Sequence, residues 1–249
     1  MTQGEIWPLP WTVKYYNETF SINPDTFVWN SWHSGCEIID KALQRYKKLA
    51  FPGHTPGKAV IPSGHFATIA SVTVSSQAGC PSHYPHFGMN ESYKIEATPG
   101  SSQVLILGST IWGALRGLES FSQLIYKDKK GSWWLRAASI NDHPRFPHRG
   151  VMIDTARHFL SVNILKRQID LMAQNKMNVF HWHIVDSESF PYTSTKYPEL
   201  SEKGAYTPKH VYTVDQMKDI IEFAKLRGIR VIPEFDTPGH TGAWSGFKG

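Results

Sequence analysis

Long apolar runs are missing from this sequence of 249 residues. No stretch approaches the roughly 18 consecutive apolar residues that a membrane-spanning helix needs, so the sequence predicts no membrane span. The opening residues, MTQGEIWPLPW, also lack the apolar core of a secretory signal. A mature exported protein with a new initiating Met and a cytosolic protein would both begin in this way.

Concentrated positive charge is missing as well. The formal net charge is +5, and the basic residues are scattered apart from RYKK at 45–48 and KDKK at 127–130. A nucleic-acid interface needs a clustered basic face, so these two short groups are interpreted as solvated surface and no nucleic-acid partner is predicted.

Cysteine is scarce, with only Cys36 and Cys80 in the chain. Such a pair can be two free thiols or one bridge. The sequons Asn17-Glu-Thr and Asn90-Glu-Ser are typical of an exported glycoprotein and make both Asn residues candidate glycosylation sites. An oxidising compartment favours one disulfide over two thiols.

Aromatic residues, by contrast, are plentiful, at 13% of the chain with nine Trp. Such an excess is typical of core packing, and it is also what carbohydrate sites use to stack sugar rings.

The first part of the chain mixes two periodicities. GCEIIDKALQRYKK and TIWGALRGLESFSQLIY have helical spacing, the second with Trp112, Leu115, Leu118 and Ile125 on one stripe. SVTVSS, SYKIEATPG and SQVLILG are typical of strands. The pattern predicts a small α+β domain over residues 1–142 with antiparallel strands, and the Pro-containing segment NDHPRFPHRG, 141–150, marks its end.

From residue 143 to 249 the pattern is strand, helix, strand, loop, helix, strand. The strands RGVMIDT, MNVFHWHIVD and IRVIPEFD look buried on both faces, and a loop is expected from Ser187 to about Tyr212. A capping box from Thr213 to Gln216 opens the second helix. This order predicts parallel β/α units, which begin a β/α barrel or a doubly wound sheet. No Gly-rich phosphate loop follows the first strand, which disfavours a dinucleotide fold.

Polar side chains follow the carboxyl end of each of these strands. They are Asp154, Arg157 and His158 after the first; His183 and Asp186 after the second; and Glu234, Asp236 and His240 after the third. Barrel enzymes build their sites from these ends. Helix capping would explain one such group but not three in succession, so the sequence predicts a shared site.

Two chemistries compete for that site. His181 and His183 lie on the same face of a strand and could bind a metal ion, as in a metal-dependent amidohydrolase, but no Lys follows at a later strand end and the motif lies on the second strand. Glycoside hydrolysis needs an acid, supporting carboxylates and groups that grip sugar hydroxyls. The guanidinium of Arg157 is suited to binding adjacent sugar hydroxyls. Asp186 and His240 could form a hydrogen-bonded relay that sets the protonation state of an acid.

Three long motifs carry a resemblance to a known family. FPHRGVMIDTARHFL, NKMNVFHWHIVDSESFPY and LRGIRVIPEFDTPGHT resemble glycoside hydrolase family 20, the β-N-acetylhexosaminidases, and in particular its animal lysosomal type. Upstream, IWPLP, the Cys36/Cys80 spacing and IWGALRGLESFSQLIY resemble the same subgroup, so the likeness covers nearly the whole chain.

The resemblance implies a small α+β domain followed by a (β/α)8 barrel that needs no cofactor or metal. It implies hydrolysis of terminal, non-reducing N-acetylglucosamine or N-acetylgalactosamine from glycans or glycolipids. The mechanism is substrate-assisted and retaining, since the acetamido oxygen of the substrate attacks the anomeric carbon. A lysosomal or secreted enzyme that can dimerise at full length is expected.

The resemblance also implies roles for individual residues. Arg157 would hold the 3- and 4-hydroxyls of the sugar, and Asp186 with His240 would form the relay to the catalytic Glu. Asp236 and His183 would support the pocket. Cys36 and Cys80 would form a disulfide.

Two departures from the family pattern stand out. Ser187 occupies the place of a second Asp that usually follows the one at 186. The catalytic Asp-Glu pair of the family follows the fourth barrel strand in a GGDE-like motif, and no such motif occurs in these 249 residues. The chain is therefore expected to be a hexosaminidase sequence truncated after three barrel strands. The alternative is a non-catalytic isoform or partial gene product.

We therefore predict that a polypeptide of these 249 residues does not turn over a chromogenic N-acetylglucosaminide at about pH 4–5, because general-acid catalysis is typically worth about 10²–10⁴-fold. A release assay with the purified chain checks this. Turnover above that of a heat-denatured sample would contradict the prediction.

Overall fold

The computed structural model describes residues 5–245 of the chain. Internal contacts group the chain into two compact units, one formed by Met1–His83 with Phe87–Pro147 and the other by Tyr84–His86 with His148–Gly249. No helix among the described residues is long and apolar enough to cross a membrane.

The first unit is a mixed sheet with two helices. Its strands are β1 (Thr12–Ile22), β2 (Val28–Ser31), β3 (Ser71–Ser76), β4 (Tyr93–Ala97), β5 (Gln103–Gly108), β6 (Ile125–Lys127) and β7 (Trp133–Asp142), and its helices are α1 (Glu37–Leu49) and α2 (Ile111–Leu124). The strand order is β1-β7-β4-β5-β3-β2, with β6 paired to β7. β2 and β3 pair in parallel, as do β3 and β5, so the expectation of antiparallel strands was wrong for these two pairings, whereas the other four pairings of the described sheet are antiparallel. A parallel pair needs a crossover connection, and α1 provides one between β2 and β3.

The helices of the first unit bury the stripes that the sequence predicts, with one exception. Leu115 and Leu118 of α2 are buried, as is Leu43 of α1. Ile125, however, does not belong to the helical stripe, since its backbone is extended and it pairs with Leu135 of β7. The helix ends at Leu124 because the residues from Ile125 onward form β6, which pairs with β7.

Two glycines inside α2 mark where the helix approaches the sheet. A Cβ at Gly113 would overlap the carbonyl oxygen of Ser92, and one at Gly117 would lie 2.5 Å from Cγ2 of Ile106. Glycine is ordinarily unfavourable inside a helix, so its presence here follows from this close packing.

The disulfide between Cys36 and Cys80 is present in the first unit. The two candidate glycosylation residues, Asn17 and Asn90, are both exposed. Oδ1 of Asn90 accepts hydrogen bonds from the backbone N–H and the hydroxyl of Ser92, the last residue of its sequon.

The second unit is a three-stranded parallel sheet with helices. Its elements are β8 (Gly150–Asp154), α3 (Val162–Gln174), β9 (Val179–His183), α4 (Glu199–Gly204), α5 (Val214–Lys225), β10 (Arg230–Glu234) and a short 3-10 helix (Gly242–Trp244). The strand order is β10-β9-β8, and both pairs are parallel. α3 and α5 bury their apolar stripes with Phe180 and Trp182 of β9.

Two expectations for this unit were wrong in detail. Only β9 is a buried strand, whereas 56% of Met152 on β8 is exposed, because β8 and β10 are the edges of the described sheet. The segment from Ser187 to Tyr212 is not simply a loop, because it contains α4 and a bridge between Tyr192 and Tyr212. The capping box is confirmed, since both of its hydrogen bonds form between Thr213 and Gln216.

We predict that Gly113→Ala destabilises the chain, although the same change in an ordinary helix would stabilise it by about 1 kcal/mol. Forcing a methyl group against the Ser92 carbonyl should lower the free energy of unfolding by about 1–3 kcal/mol in urea denaturation. Gly79→Ala is the matched control, because its Cβ meets nothing within 4 Å. A Gly113→Ala protein at least as stable as the parent would refute the close-packing explanation.

Candidate functional site

The carboxyl ends of the three parallel strands bring polar side chains into one row. Asp154 on β8 and Glu234 on β10 are both Cα partners of His183 on β9. Side chains at paired positions of neighbouring strands lie on the same face of a sheet. The site therefore begins as a row of carboxylate, imidazole and carboxylate across the sheet.

Asp186 lies at the centre of the site. Its side chain is fully buried, and four donors reach it. Oδ1 accepts from the backbone N–H of Ser187 at 2.6 Å and lies 3.0 Å from Nδ1 of His240. Oδ2 lies 2.6 Å from Nε2 of His183 and 2.8 Å from a terminal nitrogen of Arg157. Burial alone would raise the pKa of Asp186, but these donors outweigh it and hold the pKa well below its usual range.

His183 sits between two carboxylates. Its Nε2 faces Asp186, and its Nδ1 lies 3.2 Å from Oε2 of Glu234. Burial opposes the charged form, but the hydrogen bonds to Asp186 and Glu234 prevail and raise the pKa of His183. With both ring nitrogens against carboxylates, the site favours the imidazolium form of His183.

Arg157 is held by three carboxylates. Nη1 donates to Asp154 at 2.7 Å, Nε donates to Glu188 at 2.9 Å, and the remaining terminal nitrogen faces Asp186. Asp154 also accepts from the backbone N–H groups of Ala156 and Arg157, which fixes the turn that carries the guanidinium. The Arg157 side chain is still 37% exposed, so its donors can be reached by a ligand.

His240 reaches Asp186 from the loop after β10. Its backbone φ is +59°, in the left-handed region, and its side chain is half exposed. Nδ1 also lies 3.3 Å from Nη2 of Arg157, but one nitrogen cannot donate to Asp186 and accept from Arg157 at once. The shorter contact with the buried carboxylate decides the tautomer. Nδ1 therefore carries a proton, and Nε2 has no partner among residues 5–245.

The remaining sequence-predicted residues fall into two groups. Asp236 joins the cluster, since one of its oxygens lies within 4.8 Å of ligand atoms of His183 and Asp186. His158 does not, because it is exposed and makes no hydrogen bond to the described part of the cluster. Sequence reasoning missed Glu188, whose only signal was its position two residues beyond Asp186.

A metal ion is a poor fit to these donors. His183, Asp186 and Asp236 are close enough to share one. Both nitrogens of His183 are already engaged with carboxylates, however, and Arg157 places a permanent positive charge 2.8 Å from Asp186. A metal would need neutral imidazole and free carboxylate lone pairs, so the arrangement is a network of hydrogen-bonded charges.

Sequence families match both parts of the chain. The catalytic domain of glycosyl hydrolase family 20 matches residues 146–247, and a domain described as β-acetyl hexosaminidase like matches residues 6–124. The parallel strands and the strand-end cluster lie in the first of these segments. The chain belongs to glycosyl hydrolase family 20.

Individual relatives refine this assignment. The chain is 46% identical to beta-hexosaminidase A of Caenorhabditis elegans, over 99% of this chain and 44% of the relative. It is 41% identical to beta-hexosaminidase subunit alpha of Mus musculus, over 96% of this chain and 46% of the relative. The X-ray structure of Flavobacterium johnsoniae chitobiase superposes with a TM-score of 0.81 and 28% identity, covering 98% of this chain and 36% of that one. The chain thus spans less than half the length of these relatives.

We predict a stability maximum between about pH 4.5 and about pH 6.5. The raised pKa of His183 adds stability that is complete below its unfolded value and is lost as the pH rises through the folded pKa. The lowered pKa values of Asp186 and Glu234 act in the opposite sense, so their contribution is lost as the pH falls through the folded values.

Urea unfolding of His183→Gln at several pH values checks the first half of this prediction. Its deficit relative to the parent should be largest near about pH 5 and shrink towards about pH 8, because the parent then loses the imidazolium as well. His158→Gln, which removes an exposed imidazole outside the cluster, should follow the parent. A His183→Gln deficit independent of pH would show that the charge of His183 contributes nothing.

Proposed function

We propose that this chain supplies the sugar-gripping and relay part of a β-N-acetylhexosaminidase. The observation that carries the proposal is the buried Asp186 carboxylate, which joins Arg157, His183 and His240 in one network. The substrates proposed are glycans and glycolipids with terminal, non-reducing N-acetylglucosamine or N-acetylgalactosamine. The β-hexosaminidase names of the relatives support this choice.

The three parallel strands are proposed to be the first three strands of a (β/α)8 barrel, with residues 1–142 as a separate α+β domain. The sequential order of β8, β9 and β10 supports this, because barrel strands follow one another around the axis in chain order. The site at their carboxyl ends agrees with the position of barrel active sites.

Arg157 is the residue proposed to hold the sugar. Two adjacent hydroxyls match the fork of a guanidinium, whose donors keep a fixed geometry. Of its three carboxylate partners, Glu188 is the most exposed, at 47%, and a sugar hydroxyl can replace it at the smallest desolvation cost. Asp154 and Asp186 would then keep the guanidinium in position.

Asp186 and His240 are proposed as the relay to an acid. With Nδ1 donating to Asp186, Nε2 of His240 can accept a hydrogen bond from a protonated carboxyl group. Asp236 and His183 are proposed to support the pocket from the same row of strand ends. No cofactor is required for this chemistry, since the acetamido oxygen of the substrate serves as the nucleophile.

Neither glutamate near the described site suits the role of general acid. A glycosidase acid needs a raised pKa, but the pKa of Glu234 is lowered by His183 and His181 despite partial burial. Glu188 accepts a hydrogen bond from Nε of Arg157 at 2.9 Å and is engaged in this salt bridge. These observations support the expectation that the 249 residues alone are inactive, with a non-catalytic product as the alternative.

A lysosomal or secreted location is proposed on two supports. A disulfide links Cys36 and Cys80, and disulfides persist mainly in oxidising compartments. Asn17 and Asn90 are exposed and proposed to carry glycans. A dimer of the full-length enzyme is proposed because several relatives are named as subunits.

We predict that a chimera is active when this chain replaces the matching 44% of the Caenorhabditis elegans relative. It should hydrolyse 4-nitrophenyl N-acetyl-β-glucosaminide, and Arg157→Lys should lower kcat/KM by about 10–100-fold, as expected for the loss of a charged hydrogen-bond pair. Lys225→Gln, which removes a cation of α5 that pairs with Glu222 and lies outside the strand-end cluster, is the control and should keep the parental kcat/KM. An inactive chimera that is folded and dimerises like the relative would contradict the proposed function.

A further inference from the structure

We propose that the first unit carries a docking surface for anionic lipid membranes, formed by exposed apolar side chains with lysines beside them. The apolar residues lie in the segment between α1 and β3 and are Val60, Ile61 and Phe66. The lysines are Lys58 in the same segment and Lys127, Lys129 and Lys130 in the KDKK turn, 127–130. We call these residues the lysine-flanked patch. None of them belongs to the strand-end cluster, so the inference goes beyond the proposed function.

Two segments that are distant in sequence meet at the lysine-flanked patch. Val60 forms an isolated parallel bridge with Ser132, just after the KDKK turn. A Cβ placed on Gly131 would lie 3.5 Å from Cγ2 of Val60 and 3.8 Å from Cε of Lys127. The side chain of Val60 and the stem of Lys127 therefore approach the same turn, so that apolar surface and positive charge lie side by side.

Phe66 reaches the same turn through Trp134. The two rings pack edge to face, with their centroids 4.9 Å apart. Nε1 of Trp134 donates a hydrogen bond to Oδ2 of Asp128, inside the turn, at 2.9 Å. The exposed ring of Phe66 is thus linked to the KDKK turn through one intervening side chain.

Hydrogen bonds from the backbone hold both segments in place. Oδ1 of Asp25 accepts from the backbone N–H of Gly57 at 2.7 Å, and Oδ2 accepts from that of Ala59 at 3.2 Å. In the turn, Oδ1 of Asp128 accepts from two backbone N–H groups, both at 2.9 Å. A surface that is ordered before it binds loses less conformational entropy on binding.

The patch carries more positive than negative charge. Residues 51–70 and 125–134 together contain four lysines and one acidic residue, Asp128. Both Asp128 and the neighbouring Asp25 are engaged by the hydrogen bonds described above. Lys58, Lys129 and Lys130 are exposed, and no ion pair engages their ammonium groups among residues 5–245. Their charges are therefore available to an external anionic group.

The apolar residues of the patch are open to solvent. The exposed fractions are 44% for Val60, 58% for Ile61 and 47% for Phe66. Single exposed apolar side chains are ordinary on protein surfaces, but a group of them rimmed by polar residues marks an interaction site.

An anionic membrane surface fits this combination better than a protein partner. Protein–protein interfaces are depleted in lysine. At a membrane, lysines are attracted to the phosphates and carboxylates of anionic lipids, while Ile61 and Phe66 enter the boundary between headgroups and acyl chains. A chain held in this way would stay close to the glycolipids proposed as substrates.

Flotation with lipid vesicles tests the proposal on the 249-residue chain, because aggregated protein sediments whereas vesicle-bound protein rises. Vesicles of phosphatidylcholine alone are compared with vesicles that also contain about 30% phosphatidylserine. We expect the parent chain to float with the anionic vesicles only. The bound fraction should fall as the NaCl concentration rises from about 50 mM to about 500 mM, because salt screens the lysines.

A double substitution tests the contribution of charge. Lys129→Gln with Lys130→Gln should weaken binding to anionic vesicles by about 10–30-fold at low salt, since each lysine near such a surface contributes about five-fold. The matched control is Lys47→Gln with Lys48→Gln, which removes two exposed lysines of the RYKK group and should bind like the parent chain.

A single substitution tests the contribution of apolar insertion. Ile61→Ser should weaken binding by about 3–10-fold at both low and high salt, because the lost apolar contact is not screened. The matched control is Ile164→Ser on α3, where the isoleucine is 47% exposed and lies outside the patch. It should bind like the parent chain.

Absence of flotation with either kind of vesicle would overturn the proposal, as would equal flotation with both, or patch variants that bind like their controls. A chain that self-associates in ultracentrifugation without floating, and that loses this association in Ile61→Ser, would show that a second copy covers the patch. Where the 249-residue chain does not stay soluble, the same variants are compared in the full-length chimera. Hydrolysis is not measured, so an inactive chimera would leave these results unchanged.

Discussion

The site depends on one buried negative charge. Asp186 has no exposed surface, and an isolated carboxylate in such a place would take up a proton instead of remaining ionised. Four donors prevent this, and they come from three different strand ends and the loop beyond Asp186 itself. Arg157, His183 and His240 all contact this carboxylate, and their relative positions are set by the need to compensate the buried negative charge of Asp186.

The fold meets that requirement through the register of a short parallel sheet. Asp154, His183 and Glu234 are placed side by side because β8, β9 and β10 pair in register with their carboxyl ends aligned. The chain after each strand then has only a few residues in which to turn. Arg157, Asp186 and His240 all lie on these connections, so small changes in strand register would separate them. The apolar faces of α3 and α5 stabilise the strands from the other side of the sheet.

The charges at the rim also limit what chemistry these residues can perform. The lowered pKa values of Asp186 and Glu234 keep these two carboxylates ionised across the neutral and mildly acidic range, which suits gripping and orienting but not donating a proton. Nε2 of the half-exposed His240 makes no hydrogen bond to the described residues, so it can interact with a further group. This arrangement supports the relay to an acid proposed above.

Local sequence patterns determined much of this protein. The helical stripes of α1, α2, α3 and α5, the capping box at Thr213 and the strands that end at Asp154, His183 and Glu234 all follow from periodicity and capping, which are properties of neighbouring residues. The roles proposed for Arg157, Asp186 and His240 rest on family resemblance, and their proximity follows from the rule that parallel strands align their carboxyl ends.

Tertiary structure alone decided the rest. Periodicity placed Ile125 in a helix, but Ile125 pairs with Leu135 and belongs to β6. The two glycines of α2 are explained only by their close contacts with Ser92 and Ile106. The salt bridge from Glu188 to Arg157 and the partition of donors between the two oxygens of Asp186 were likewise beyond prediction. The physical reason is the same in each case: these features are set by contacts between residues distant in sequence, whose energies depend on burial and geometry that exist only once the strands have paired.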